Sequence, residues 1–564
     1  MSETISLGAR PLPASTSPAP EAAFAAPRRP TRRQWACLAA LLLVAATAYA
    51  LPLRDRPLWN QDEARVALLA GDTLHHGPRL PARVRETPYL NKPPLYFWSV
   101  ALVSWPGGQV SERTAPIPSV IAALVSLIGT FAIGRLLTGP STGLVAVAVL
   151  ATSPGFFLHS HQVLPDMALT AALVWALYFL LRALRAVRPR PAHLIGFYAC
   201  VGVGFWIKGV PVLLVLPATL AATVAARGWP GVRDLRPWLG LTILAVAMLP
   251  WAIPYALAPG YERSQSMGAG TAVRWYLDRT TRASAPIPLR GGLVMFLPWT
   301  LWLVPAALWW WRTPDRVTYR PLVAWMLVQV PLLALSVQQR PRYLLIVYPV
   351  FALLVAAAVT APGSGARALI RLHLAVVAVL ALAFAATGAW FLRRDDAERE
   401  ATPLEGLLSA SAEGPFLLVL LLAGLAGAFL LLRAGGSPAR AIACVAGSLA
   451  LVLLVEAWIY PARLIAQTPV RAFAQEARPK LDPRLPVLGH PDANLAFDLY
   501  LDHPVREVPQ RAAVARRLER PAEGVLLLRE KGWAELGAVA HPSWCPLARA
   551  EIGEREFILV GACR

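Results

Sequence analysis

Charge is scarce in this chain: acidic and basic residues together make up 15% of its 564 residues, against about a quarter in an average soluble domain. A charge-coated soluble protein is excluded. Lysine is rarer still, with only Lys92, Lys208, Lys480 and Lys531 among 54 basic residues, so each lysine stands out from a background in which arginine supplies generic positive charge. The five cysteines form no CxxC pair, and Cys37, Cys200 and Cys444 sit inside apolar runs, which argues against a zinc or iron–sulfur centre. No glycine-rich nucleotide loop stands between a strand and a helix, and no internal repeat is evident.

What the chain has is apolar sequence. Hydrophobic residues reach 56% and the mean hydropathy is +0.50, distributed over runs of about 17 to 24 residues, each long enough to cross a hydrocarbon core of roughly 30 Å as a helix. Thirteen such spans are predicted, near 35–53, 114–134, 142–158, 166–184, 192–207, 209–226, 237–257, 291–311, 321–337, 343–360, 369–391, 415–432 and 441–460. The net charge of +21, which in a soluble chain would suggest nucleic acid, is then accounted for by topology, because arginine gathers in cytoplasmic loops. Arg135, Arg182 and Arg185, Arg227 and Arg233, Arg312 and Arg316, Arg367 and Arg371, and Arg433 and Arg440 fall in alternate loops. No nucleic-acid partner is called for.

This pattern predicts three parts: a disordered cytoplasmic tail over 1–34, a transmembrane body over 35–460, and a C-terminal α/β domain over 461–564 outside the membrane. The outer face receives the long segments 54–113, 258–290 and the tail. Residues 62–76 and 92–105 are too short or too polar to be convincing spans and read as helices lying along the membrane surface, with Tyr96, Phe97 and Trp98 at headgroup level. Cys545 and Cys563 stand 18 residues apart on the predicted oxidising side, where a disulfide persists.

The chemistry-bearing residues collect on that same face. Asp62 and Glu63 open the first surface helix, where acids often only complement the helix dipole. Asn91-Lys92-Pro93-Pro94-Leu95-Tyr96 places an ammonium at the start of a second helix, a favourable phosphate site, although lysine at a membrane edge also snorkels. Asp166 lies at the outer end of a span, where an acid is costly unless paired or wet; it could equally cap its helix. His159 and His161 lie nearby without a third clear ligand. Lys208 and the group Arg340-Pro341-Arg342-Tyr343 add cations at other outer edges. Each could snorkel; together they describe an anion-binding basin flanked by carboxylates.

The Asp-Glu pair, the Asn-Lys-Pro-Pro-Leu-Tyr segment, Asp166, the Lys208-Gly209 turn and the run from Arg342 to Pro349 resemble the superfamily of bacterial protein O-mannosyltransferases and lipid A aminoarabinose transferases. That resemblance implies a mainly α, polytopic GT-C membrane architecture and a cavity at the outer membrane edge. It further implies inverting transfer of a sugar from a polyprenyl-phosphate carrier to an envelope acceptor, with a lipid A-like glycolipid favoured over a protein or another glycan. In this reading Asp62 is the base, Glu63 and Asp166 are further catalytic acids, and Lys92, Tyr96, Lys208, Arg279, Arg282, Arg342 and Tyr343 bind substrate. The family's middle loop often contributes a histidine; here 258–290 holds none, only arginines. A divalent metal therefore stays open and no other cofactor is implied. The rival reading from charge lining a membrane cavity is a transporter or lipid flippase.

Overall fold

The computed structural model describes residues 29–257, 287–361 and 438–563, apart from short interruptions, together with Ala375 and Leu382. Apart from those two residues, the expected spans at 369–391 and 415–432 lie outside the described residues, as do most of the N-terminal tail and Arg279 and Arg282.

The membrane body begins with α1 (Arg32–Ala50), fixed at its start by a reciprocal cap in which the Thr31 hydroxyl accepts from the Gln34 amide and the Gln34 side chain accepts from the Thr31 amide. Two short helices follow, α2 (Gln61–His76) and α3 (Leu95–Ser104), which pack on each other, with the two-residue strands β1 (Arg83–Val84) and β2 (Thr87–Pro88) between them. The ten residues of α3 reach about 15 Å at 1.5 Å per residue, half of a hydrocarbon core. It does not cross.

Then come α4 (Ile117–Leu137), α5 (Pro140–Ala151), α6 (Pro154–Ser160), α7 (Pro165–Arg185), α8 (Pro191–Lys208), α9 (Val215–Arg227), α10 (Gly231–Asp234), α11 (Pro237–Leu257), α12 (Ile287–Met295), α13 (Thr300–Arg312), α14 (Arg316–Ala334), α15 (Tyr348–Thr360) and α16 (Pro438–Gln467). Among the described residues seven helices are long and apolar enough to span, or eight if one bent pair counts as a crossing. The chain is a multi-pass membrane protein.

Three sequence expectations change here. The run at 142–158 is not one straight helix: α5 and α6 meet at 71°, because Ser153 precedes Pro154 and is held extended, at ψ 127, as the proline ring requires of its neighbour. The run at 291–311 breaks between α12 and α13 around Pro298. And α16 runs through Pro461 to Gln467, so the change from membrane helix to mixed structure falls after 467 rather than at 461.

Beyond α16 lie α17 (Val470–Ala477), β3 (Val487–Gly489), α18 (Ala496–Tyr500), β4 (Val505–Glu507), α19 (Arg511–Leu518), β5 (Val525–Arg529), α20 (Glu530–Leu536), β6 (Trp544–Glu551) and β7 (Glu556–Ala562). The five strands form one sheet in the order β4-β3-β5-β7-β6, parallel through β4, β3 and β5 and antiparallel at β7 and β6. Strand β5 is a continuous apolar run because both faces of the sheet are covered. Val525 and Leu527 join Phe473, Phe497 and Phe557 on one side, and Leu526 and Leu528 join Val514, Leu518 and Trp544 on the other. The first of these layers also takes in Ala64 of α2, with Leu68 packed against it. Cys545 and Cys563 are joined, tying the start of β6 to the residue after β7.

Candidate functional site

Two helix starts and one 3-10 turn converge on a single point. Asp62 is the second residue of α2, whose cap is supplied by Asn60: its side-chain oxygen accepts the Asp62 amide at 2.9 Å. The Asp62 carboxylate is therefore not spent on its own helix. It accepts from Arg65, one turn along α2, at 2.7 Å, and from Arg342 at 3.1 Å. Asp166 holds the same position at the start of α7 and likewise makes no cap. It is 4% exposed, accepts from the Lys208 ammonium at 2.6 Å, and lies 3.6 Å from Nε of Arg342. Arg342, in the 3-10 helix Pro341–Val347, thus bridges two carboxylates that are more than a hundred residues apart in sequence.

Tyr343 forms the floor, with the Lys208 ammonium 4.4 Å above the centre of its ring and the Arg342 guanidinium at 6.0 Å, distances at which the ring quadrupole attracts a cation. Lys208 ends α8 and is followed by Gly209 at φ +81, a conformation that disfavours any residue with a Cβ. A Cβ there would lie 3.2 Å from Cδ of Pro93, so the Lys-Gly turn abuts the Asn-Lys-Pro-Pro segment. This contact brings Lys92 to the same basin.

Lys92 differs from its neighbours. Half-buried, it makes no hydrogen bond or ion pair among the described residues. Burial pulls its pKa down to about 8, assisted by Lys208 and Arg342 and opposed by Asp166 and Asp62. For Asp62, burial pushes the carboxyl up, but Lys92, Arg342 and Arg65 outweigh it and leave it below the usual aspartate value.

Two expected site residues face elsewhere. Glu63, 2% exposed, accepts two bonds from Arg56, itself 1% exposed, at 2.5 and 2.7 Å, and the Val163 amide at 2.8 Å. One helix step of roughly 100° turns it away from the basin that Asp62 faces. Tyr96 is buried within the protein, its hydroxyl 2.6 Å from that of Ser119. His159 is buried against the Gly155 carbonyl at 2.7 Å. Among the described residues no three His, Cys, Asp or Glu side chains lie together as a metal cage would need.

Sequence reading passed over two neighbours of Asp62. Arg65 was legible, since i,i+3 residues share a helix face. Tyr89, whose phenol burial pushes up to about 12 and which feels the charges of Arg65 and Asp62, carried no local signal; it directly follows β2, where its amide donates to the Ala82 carbonyl at 2.8 Å.

Glu63 gives a first testable expectation. Removing one partner of a buried pair strands the other, at a cost of about 3–5 kcal/mol. Glu63→Ala, which leaves Arg56 and the Val163 amide without this carboxylate, is expected to lower the thermal midpoint strongly; a wild-type melting curve in detergent would contradict the assignment of Glu63 to the scaffold.

Residues 91–253 match the family model described as dolichyl-phosphate-mannose-protein mannosyltransferase. Among curated proteins the chain is 27% identical over 347 residues to the undecaprenyl phosphate-alpha-4-amino-4-deoxy-L-arabinose arabinosyl transferase of Edwardsiella ictaluri, covering 57% of this chain and 58% of that one. With the protein of the same name from Pseudomonas aeruginosa it shares 30% identity over 384 residues, 63% of this chain and 66% of the relative. The chain thus matches about three fifths of these relatives' length. In fold it is similar to ArnT from Cupriavidus metallidurans bound to undecaprenyl phosphate, with a TM-score of 0.76 at 18% identity over 94% of this chain and 98% of the other. The mannosyltransferase match falls on the segment that carries Lys92, Asp166 and Lys208, and the fold likeness extends over nearly the whole chain: in sequence and in fold the chain resembles the GT-C superfamily of protein O-mannosyltransferases and lipid A aminoarabinose transferases.

Proposed function

We propose that the chain transfers a sugar from a polyprenyl-phosphate carrier to an envelope acceptor at the outer face of the inner membrane, with an aminoarabinose donor and a lipid A-like acceptor favoured. The observation that carries this reading is the Asp62–Arg342–Asp166–Lys208 cluster beside an unpartnered Lys92. Two acids and three cations meet there at three helix ends. The curated relatives' donor name and the undecaprenyl phosphate bound by ArnT support the choice of carrier.

A sugar on a lipid phosphate already carries its leaving group, so the protein must supply a base and a cationic seat. Asp62 takes the proton of the acceptor hydroxyl; the freed oxygen bonds to the anomeric carbon as that carbon's bond to phosphate oxygen breaks; the polyprenyl phosphate departs with the electron pair. One displacement inverts the anomeric centre. Lys92, Lys208 and Arg342 hold the departing phosphate, Tyr343 supports them, and Arg279 and Arg282 of the middle loop join them. While Arg342 pairs with Asp62 the carboxylate is a weak base; when Arg342 turns to the incoming phosphate, Asp62 regains basicity. Arrival of the donor thus arms the base. Asp166 anchors Lys208 and Arg342. Glu63 and Tyr96 belong to the scaffold in this account, not to the chemistry.

The topology that accompanies it has thirteen crossings, a cytoplasmic tail over 1–34, a catalytic membrane body and an extracytoplasmic C-terminal domain up to residue 564; the alternation of arginine-rich loops supports it.

Since Lys92 titrates near pH 8, kcat/KM for the donor, which reports the free enzyme, is expected to fall as pH rises through about 8. The kcat limb, measured with phosphate bound beside the ammonium, should lie higher. The two profiles measured together check this; coincident alkaline limbs would remove Lys92 from the phosphate. For the acceptor, deleting the gene in the native host and recording lipid A mass spectra should show loss of an aminopentose substituent. Unaltered lipid A would redirect the assignment to another acceptor.

A further inference from the structure

The segment that carries the proposed base is held on its far side by the C-terminal layer, and the contact is polar, specific and distant in sequence. The amide of Leu58, two residues before the Asn60 cap and four before Asp62, donates to the Tyr500 hydroxyl at 2.7 Å. That hydroxyl in turn donates to Glu112, in the turn before α4, and Glu112 pairs with Arg471 at the start of α17, whose Nε donates at 2.9 Å. Tyr500 closes α18. Its phenol therefore joins three segments: the lead-in to α2, the lead-in to α4 and the sheet layer. Around this latch the fit is apolar, with Ala64 of α2 fully buried among Phe473, Phe497 and Phe557, and Leu68 against them.

Helix α2 is thus clamped at its first turn between the two halves of the molecule. One face presents Asp62 and Arg65 to the basin and another rests on the C-terminal layer, while Arg56 and Glu63 fasten the same turn to Val163, three residues before Asp166. Lead-in segments without secondary structure tend to be mobile, and displacing a reacting group by about 1 Å can cost roughly 10²-fold in rate. We propose that Tyr500 is a positioning residue: its hydroxyl, oriented by Glu112 and Arg471, fixes the turn before α2 and through it the placement of Asp62. This rests on the transferase reading above and adds that the C-terminal layer is part of the catalytic apparatus without touching substrate.

The test uses the full chain in detergent or bilayer. Tyr500→Phe removes only the oxygen, and Glu112→Ala removes that oxygen's acceptor should the first variant fail to fold; Glu112→Gln keeps a carbonyl to receive the hydroxyl. Hydrogen exchange is read at the Asp62 and Ala64 amides, which bond to Asn60 rather than to Tyr500, alongside kcat, donor KM and affinity for undecaprenyl phosphate. Tyr500→Phe and Glu112→Ala are expected to speed exchange at both amides and lower kcat about tenfold or more, with donor KM and undecaprenyl phosphate affinity within about twofold, and Glu112→Gln to keep most of the wild-type kcat. Unchanged exchange at both amides, or an unchanged kcat where exchange has quickened, overturns the proposal. If the wild type itself transfers no sugar, the transferase reading fails, and exchange alone decides whether Tyr500 holds α2.

Discussion

Asp62→Asn is expected to lower sugar transfer by about 10²-fold or more while the protein remains folded. The carboxamide has the shape of the carboxylate but cannot accept the acceptor's proton. The variant also weakens the bonds to Arg65 and Arg342 at 2.7 and 3.1 Å. Because these pairs are partly exposed, their loss costs little stability. The expected signature is a near wild-type melting curve, retained affinity for undecaprenyl phosphate and a collapsed kcat. That affinity is the sharper control: with one carboxylate charge fewer beside the cations, it should hold or rise. A purified Asp62→Asn sample with wild-type turnover would remove Asp62 from the chemistry.

Lys92→Ala should act on the donor rather than on the acceptor. A charge-assisted bond to a phosphate contributes about 1.5–3 kcal/mol, so its loss should weaken lipid-phosphate affinity by roughly 10- to 100-fold. Lys208 and Arg342 already give the phosphate their own bonds while Asp166 holds them, Lys208 at 2.6 Å and Arg342 at 3.6 Å, so neither replaces the bond that Lys92 supplies. Lys92→Arg should restore only part of the affinity, because a planar fork presents its donors differently from an ammonium. Direct titration with undecaprenyl phosphate checks this. Unchanged binding in Lys92→Ala would mean that the lysine only snorkels.

The parts of this site legible in sequence were those whose chemistry is local. Scarcity marked Lys92 and Lys208, because lysine is spent sparingly in a chain that uses arginine freely, and depth marked Asp166 as an acid needing a partner. What local pattern could not say was which partner. Arg342 and Lys208 reach Asp166 only because α7, α8 and the 3-10 turn pack together.

Glu63 shows the opposite failure. Adjacency to Asp62 suggested shared chemistry, but neighbours on a helix point about 100° apart, and Glu63 turns inward to Arg56. Tyr96 illustrates a related limit: an aromatic run at a membrane edge does not reveal that its hydroxyl packs inside the protein against Ser119. Hydropathy likewise located the apolar run at 142–158 but not its bend, which the single Ser153-Pro154 step sets, nor the continuation of α16 through Pro461. Tyr500 and Glu112 were invisible because their partners lie hundreds of residues away.

The most direct test of the central claim is a transfer assay with purified protein, a polyprenyl-phosphate-linked aminoarabinose and a lipid A-like acceptor, read by mass spectrometry with the anomeric configuration of the product assigned by NMR. The account predicts an acceptor heavier by one sugar, inverted at the anomeric carbon, in the wild type, with release of polyprenyl phosphate, and less of that product by about 10²-fold or more from Asp62→Asn. A wild-type protein that moves the lipid phosphate across a bilayer while leaving every acceptor unmodified would contradict it and identify a flippase instead.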